Sequence, residues 1–215
     1  PHSYYVFTTF DGLNMPHFAP FCLFCDCFNN LSGSYTPGKS RQNRANLGKS
    51  GGLLNMIRVL FICHGNICRS TMAQYVMHDM VDKRGLSASF YIDSAATSRE
   101  EIGNGVHYGT QRKLKEMGIW CGDHRAVQMT KADYKKYDYI IGMDGWNRRN
   151  MMRILGSDPE GKVSLLLDFT EYPRDIADPW YTGNFDATYE DVKEGCEALL
   201  AHILSADAAK LRPER

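Results

Sequence analysis

Two thiols and a guanidinium lie close together in FICHGNICRS, residues 61–70. Cys63 is followed by Gly65 and Asn66, residue types that readily adopt left-handed backbone conformations. Successive backbone N–H groups in such a loop can bind an anion and would stabilise a thiolate. Arg69 can hold two oxygens of a phosphate with its planar guanidinium. Cys63 alone would also suit a core cysteine, but the combination predicts a nucleophilic thiolate in a phosphate-binding loop.

The residues on either side of this loop indicate where it lies in a fold. IRVLFI, residues 57–62, is a continuous apolar run that is typical of a buried parallel strand. Residues 70–85 have apolar side chains close to helical spacing and end at a glycine. Residues 63–69, which we call the phosphate loop, therefore connect a strand to a helix N-terminus. Ligands of open α/β sheets gather at such strand ends, and the unpaired N–H groups of the helix suit an anion.

Strand and helix patterns alternate along the rest of the chain. Strand patterns occur at 90–93, 138–143 and 162–169, and helical patterns at 104–117, from 130, from about 145 and at 188–204. Alternation of this kind produces βαβ units with right-handed crossovers. We therefore predict a three-layer α/β fold, with helices on both faces of a four-stranded parallel sheet and the phosphate loop after the first strand.

Composition excludes several classes of protein. The 25 basic and 25 acidic side chains leave no net charge, so we expect no binding to nucleic acid. No stretch reaches the roughly 18 apolar residues that a spanning helix requires, so we expect no stable membrane insertion. The seven cysteines are odd in number and follow no framework spacing, which predicts reduced thiols and a cytoplasmic location.

Residues 1–55 differ from the rest of the chain. They are first aromatic and apolar without a period, and then become a basic linker rich in Gly, Ser and Asn. The run FCLFCDCF suggests a metal knuckle, but no further ligands follow at the required spacing. We expect a flexible or non-native extension, then one domain over 56–208 and a short tail over 209–215.

The phosphate loop is similar to that of a known family. C-x-x-x-x-x-R-[ST] is the pattern of cysteine-based phosphatases, and CHGNICRS resembles the form found in low-molecular-weight protein tyrosine phosphatases. The resemblance runs from Ile57 to Leu204 and includes DSAATS, a histidine before the third helix, YDYIIGMD and ADPWY. It implies a protein tyrosine phosphatase domain over 56–208 that acts on phosphotyrosine proteins. The sequence makes no prediction of oligomeric state.

The resemblance also implies roles for individual residues. Cys63 would attack phosphorus and become a phosphocysteine, Arg69 would hold the phosphoryl oxygens, and Asp178 would act as acid and then as base. Such acid–base help is typically worth about 10² to 10⁴ in rate. No metal and no other cofactor is expected. The further implied residues are His64, Gly65, Asn66, Ile67, Cys68 and Ser70 for phosphate binding, Trp180 and Tyr181 for the substrate ring, and Ser94, His124 and Asp144 as supporting residues.

The sequence departs from the family pattern at two positions. Glu100, in TSREEIG, stands where many members have an aromatic residue, so one wall of the cleft would be acidic. Val127 stands where an arginine is common. Asp144 suits a helix N-cap as well as it suits a supporting carboxylate.

Three other functions share parts of this pattern. Arsenate reductases need additional cysteines for thiol exchange, expected near the third strand, and YDYIIGMD has none. Phosphoarginine phosphatases resemble this chain but have threonine in place of Ile67. A non-catalytic phosphotyrosine-binding protein is the third alternative, which the presence of Cys63, Arg69 and Asp178 together disfavours.

Overall fold

The computed structural model describes residues 56–206 of the chain. The predictions for residues 1–55, including the absence of a metal knuckle, and for residues 209–215 lie outside these residues. The described part contains four strands, β1 Ile57–Cys63, β2 Phe90–Ala96, β3 Tyr139–Gly142 and β4 Val163–Leu165. Its α-helices are α1 Arg69–Lys83, α2 Tyr108–Glu116, α3 Gly145–Leu155, α4 Pro179–Thr182 and α5 Phe185–Ala206, with 3₁₀ turns at Ser87–Ser89, Lys131–Lys135 and Leu166–Phe169.

The four strands form one parallel sheet in the order β2-β1-β3-β4. β1 is central, and its Val59 lies opposite Ile92 on one side and Tyr139 on the other. The predicted α/β fold with a central first strand is confirmed, and the phosphate loop leaves the carboxyl end of β1.

Helices cover both faces of the sheet because the side chains of β1 alternate between two apolar clusters. Val59 and Phe61 pack in the cluster that contains residues of α1 and α5, whereas Leu60 and Ile62 pack with residues of α3. All four side chains are at most 2% exposed. Burial of each contributes roughly 1.5–3 kcal/mol, which fixes the position of the strand that carries Cys63.

Several element boundaries differ from the sequence prediction, and the predicted strand 90–93 continues to Ala96. The predicted strand 162–169 ends at Leu165, where the backbone N–H donates to Asp168 Oδ2 at 2.9 Å and the chain turns into a 3₁₀ helix. The predicted helix 104–117 begins only at Tyr108, after His107 caps it. The last helix begins at Phe185, three residues earlier than the predicted 188.

Across residues 56–206, no helix is both long enough and apolar enough to span a membrane.

Candidate active site

The phosphate loop connects the last residue of β1, Cys63, to the first residue of α1, Arg69. The Asn66 N–H donates to Cys63 Sγ at 3.2 Å, and Ser70 Oγ lies 3.0 Å from the same sulfur. Ser70 Oγ also accepts from Asn66 Nδ2 at 3.0 Å, which leaves the Ser70 O–H to donate to the sulfur. Two donors therefore point at Cys63 Sγ, an arrangement that suits a negatively charged sulfur.

Asn66 holds the loop in its shape. Its backbone is left-handed, with φ 59°, a conformation that costs a non-glycine residue of order 1–3 kcal/mol. Its Nδ2 donates to Ser94 Oγ at 2.8 Å as well as to Ser70, and its Oδ1 accepts from the Val127 N–H at 3.1 Å. His124 Nε2 lies 3.1 Å from both Asn66 O and Asn66 Oδ1. The structure thus joins the predicted supporting residues Ser94 and His124 to the loop through one buried carboxamide.

The surroundings of His124 favour its neutral form. Burial lowers the pKa of His124, although its contact with the Asn66 carbonyl opposes the shift. Because both Asn66 oxygens are acceptors, Nε2 is assigned as the protonated nitrogen. Val127, which stands where an arginine is common, supplies a backbone N–H to the network, while its side chain is half exposed.

Arg69 is a buried cation with one unpartnered nitrogen. Nη1 donates to Asp144 Oδ2 at 2.5 Å and to Ile176 O at 2.9 Å, and Nη2 donates to Asp178 Oδ2 at 2.5 Å. Burial opposes the charge, but the negative charges at Cys63, Asp178 and Asp144 outweigh it and raise the pKa of Arg69. Nε is buried and has no hydrogen-bond partner among residues 56–206. The guanidinium therefore stays charged and keeps one donor available.

Asp144 is both a supporting carboxylate for Arg69 and a helix N-cap, the two roles that its sequence position suits. Its Oδ2 accepts a hydrogen bond from Arg69 Nη1. Its Oδ1 accepts from the Asn147 N–H at 2.6 Å, as the N-cap of α3. The position of the Arg69 guanidinium is thereby tied to the start of a helix.

Residues 178–184, which we call the aspartate segment, form one side of the pocket. Asp178 caps the single-turn helix α4, and its Oδ1 accepts from the Trp180 N–H at 3.1 Å. Trp180 and Tyr181 are 56% and 83% exposed and, together with Cys63, line a cavity of about 120 Å³. The structure therefore brings the predicted acid and both predicted ring-binding residues to the nucleophile.

Two acidic side chains, Glu100 and Glu101, also line this cavity and form its acidic wall. Glu100 Oε2 pairs with His64 Nε2 at 3.0 Å, and Glu101 Oε2 accepts from Asn104 Nδ2 at 2.6 Å. A Cβ on Gly65 would lie 3.0 Å from Glu101 Cγ, so glycine lets this wall approach the phosphate loop closely. The predicted acidic wall at Glu100 is extended by Glu101, which the sequence reasoning did not single out.

Cys68 is a buried residue of the phosphate loop and a neutral thiol. Burial and the negative charge of Cys63 raise the pKa of Cys68 to about 12. Its neighbour Ile67 is 8% exposed and lines the cavity together with Cys68. Within residues 56–206, no cluster of three or more His, Cys, Asp or Glu side chains could hold a metal ion.

Besides Glu101, two contributors to the site were missed by sequence reasoning. Gln74 Oε1 accepts from Ser94 Oγ at 2.6 Å and so extends the Asn66 network onto α1. Its spacing of four residues from Ser70 was the available signal, because residues four apart share a helix face. Ile176 contributes only a backbone carbonyl, for which no side-chain pattern exists.

The chain matches proteins of known type. Residues 58–210 match the family model described as low molecular weight phosphotyrosine protein phosphatase. The chain is 41% identical over 150 residues to the low molecular weight protein-tyrosine-phosphatase YfkJ of Bacillus subtilis, covering 69% of this chain and 96% of that one. The crystal structure of YfkJ matches with a TM-score of 0.68 at 39% identity, over 74% of this chain and 99% of that chain. The crystal structure of DARP, a drosophila arginine phosphatase, matches with a TM-score of 0.62 at 30% identity, over 68% and 97%.

Proposed function

Because the chain belongs to the low-molecular-weight phosphotyrosine protein phosphatase family, we propose that it hydrolyses phosphotyrosine in proteins through a phosphocysteine formed on Cys63. The observation that carries this proposal is the set of hydrogen-bond donors around Cys63 Sγ. Cys63 Sγ receives the Asn66 N–H and faces Ser70 Oγ, next to a buried guanidinium with an unpartnered Nε. These donors suit both a thiolate and the phosphoryl oxygens that it attacks.

The first chemical step breaks the bond between phosphorus and the phenolic oxygen. Cys63 Sγ forms a bond to phosphorus, and the departing phenolate takes a proton from Asp178. In the second step Asp178 removes a proton from water, the water oxygen attacks phosphorus, and the sulfur leaves as thiolate with release of inorganic phosphate. One carboxyl can serve as acid and then as base because each step restores the form needed by the other.

Arg69 prepares the site for the incoming phosphate. Asp144 and the Ile176 carbonyl hold Nη1, so the guanidinium keeps its plane when a ligand binds. Nε is available for one phosphoryl oxygen, and Nη2, now paired with Asp178, can turn to a second. Binding of phosphate would then release Asp178 from Arg69, so that its carboxyl group can take up from solvent the proton that it later gives to the leaving group.

Phosphoarginine is the second candidate substrate. Glu100 and Glu101 in the cavity wall would suit a guanidinium, and the chain resembles the drosophila arginine phosphatase. Ile67 in the cavity favours an aryl ester instead, because an apolar β-branched side chain suits a substrate ring. Arsenate reduction is disfavoured because Cys121 and Cys196 both lie outside the cavity lining and Cys196 is fully buried in α5.

A direct comparison of substrates tests the proposal. The wild-type protein would be assayed with a phosphotyrosine peptide, a phosphoarginine peptide and arsenate plus a thiol reductant, with Cys63→Ser as the matched control. We expect turnover of the phosphotyrosine peptide by the wild type alone. Faster turnover of phosphoarginine would establish the second candidate, and binding without turnover would identify a phosphotyrosine-binding protein.

We also propose that the phosphatase domain spans residues 56–208 and works in the cytoplasm. The four cysteines among residues 56–206, at positions 63, 68, 121 and 196, are all free thiols. Free thiols are typical of a reducing compartment, which supports this location.

A further inference from the structure

His107 lies where three parts of the active site meet. Its backbone N–H donates to the carbonyl of Ile67 in the phosphate loop at 2.9 Å. Its ring stacks on Phe185 at the start of α5, with centroids 5.2 Å apart and planes 7° apart. The same ring packs edge-on against Trp180 of the aspartate segment, with centroids 5.6 Å apart. The His107 side chain therefore contacts both the aspartate segment, which carries the proposed acid, and α5, which follows that segment in the chain.

The His107 ring has a fixed orientation. Its Nδ1 accepts from the Gly109 N–H at 3.1 Å as the N-cap of α2. Burial lowers the pKa of His107. A Cβ on Gly109 would lie 2.4 Å from the Phe185 ring, so glycine allows that ring to reach its stacked position. The stack is thus built into the packing of α2 against α5.

The aspartate segment has few buried side chains, and its strongest polar contact is the pair of Asp178 with Arg69. Among residues 178–184, Pro179 alone is buried. The Trp180 N–H bonds to Asp178 Oδ1, so a displacement of Trp180 moves the carboxylate as well. Arg69 holds the Asp178 carboxylate directly, and the ring of His107 is the contact that limits where the neighbouring Trp180 can lie.

We propose that His107 is a positioning residue that holds Asp178 in place to protonate the leaving group, through the contacts of its ring with Trp180 and Phe185. The inference rests on the proposed function, in which Asp178 is the general acid. A positioning role has a kinetic signature that a structural role lacks. The need for an acid grows with the basicity of the leaving group, so misplacing Asp178 slows esters of basic phenols selectively.

Matched variants separate the ring of His107 from its cap. His107→Asn and His107→Ser keep an N-cap acceptor but remove the ring, whereas His107→Phe keeps a ring and removes the cap. We would measure kcat/KM for phenyl phosphate and for 4-nitrophenyl phosphate, whose leaving group is the weaker base. In the Asn and Ser variants we expect about a tenfold loss with phenyl phosphate and less than about a twofold loss with 4-nitrophenyl phosphate. The Phe variant should keep the wild-type ratio between the two substrates.

A double-mutant cycle shows whether the effect passes through the acid. In an Asp178→Ala background, His107→Asn should leave the substrate ratio unchanged, because the group it positions is absent. Equal losses with both substrates, the same ratio change in the Asn and Phe variants, or failure of both ring-deleted variants to fold would overturn the inference. A wild-type protein inactive on both esters would instead refute the proposed function, so the two failures are distinguishable.

Discussion

The phosphate loop and the aspartate segment face each other across one pocket but are built differently. In the phosphate loop every residue of 66–69 is buried, and the Asn66 carboxamide connects the loop to β2 and to His124. In the aspartate segment Tyr181 is 83% exposed, and Asp178 is held by Arg69 and by the Trp180 N–H. One side of the pocket is rigidly supported and the other is lightly supported.

The difference follows from what each side does in the proposed reaction. Donors that stabilise developing charge must be in place before the reaction begins, which requires a preorganised loop. An acid that also admits substrate and releases product is better carried by a segment with few contacts. Substitutions in the loop should therefore affect every substrate, whereas those in the aspartate segment should affect substrates according to their leaving groups.

The largest expected effect separates the two sides directly. Cys63→Ser should abolish turnover of every phosphate ester, because the hydroxyl is a far weaker nucleophile than the thiolate. Asp178→Ala should slow aryl ester hydrolysis by about 10²- to 10⁴-fold and flatten the basic limb of the pH–rate profile. Steady-state kinetics across pH check both, and full activity of the Cys63→Ser variant would refute the mechanism.

The rigid side was also the more predictable from sequence. The apolar run 57–62, the spacing of Cys63 and Arg69 and the residue types between them point to a buried strand followed by an anion-binding loop without reference to any other protein. The role of Asp178 came from the resemblance alone, because an Asp-Pro pair is equally typical of a turn.

The features that the sequence did not predict depend on contacts between distant parts of the chain. An apolar run cannot distinguish a strand from a buried turn, so the 3₁₀ helix Leu166–Phe169 was predicted as strand. His107 resembles any histidine in a loop until the fold brings Phe185 and Trp180 to its ring. Such a role depends on tertiary packing and leaves no local periodicity.

Oxidation should affect the phosphate loop through Cys68. Peroxide converts the Cys63 thiolate to a sulfenic acid, which can condense with the Cys68 thiol to a disulfide and water. The charge of Cys63 is one cause of the raised pKa of Cys68, so its oxidation removes that obstacle to thiolate formation. We expect peroxide-treated enzyme to regain most activity in dithiothreitol, and Cys68→Ser to regain several-fold less.

Cys121→Ser is the matched control for this experiment. Cys121 is half-buried and lies outside the cavity that contains Cys63, so this variant should recover like the wild type. Equal recovery of the Cys68→Ser and wild-type enzymes would contradict the protective role.

A smaller effect should appear in the pH dependence of stability. The pKa of His124 is lowered in the folded protein, so the unfolded chain binds this proton more strongly and acid favours unfolding. The stability contributed by neutral His124 is fully present above the unfolded pKa of about 6.5 and decreases as pH falls toward the folded value. His124→Gln keeps a donor toward Asn66 but cannot titrate, so its melting temperature should fall less between pH 7 and pH 5.

The pKa of His107 is lowered as well, so part of the acid sensitivity should remain in the His124→Gln variant. The informative quantity is the difference between the two melting curves at each pH. Parallel decreases of the two melting temperatures would show that His124 does not contribute to the acid response.

The smallest expected effect concerns substrate choice at the acidic wall. Glu100 and Glu101 line the same cavity as Trp180 and Tyr181, so a basic residue beside the phosphotyrosine would meet carboxylates on binding. The side chain of Glu100 is 72% exposed, which limits the effect of its charge because solvent and salt screen it. Glu100→Gln should reduce the preference for a lysine-flanked over a glutamate-flanked phosphotyrosine peptide by about threefold in kcat/KM at low salt, and less at high salt.

The partner of Glu100 strengthens this prediction. His64 loses its carboxylate partner in the Glu100→Gln variant, which leaves a ring nitrogen at this wall available to a glutamate-flanked peptide. Glu190→Gln is the control, because Glu190 is exposed on α5 and does not line the cavity. A peptide preference unchanged by Glu100→Gln, or changed equally by Glu190→Gln, would show that flanking charge is not recognised at this wall. Selectivity would then rest with the exposed aromatic rings of the aspartate segment alone.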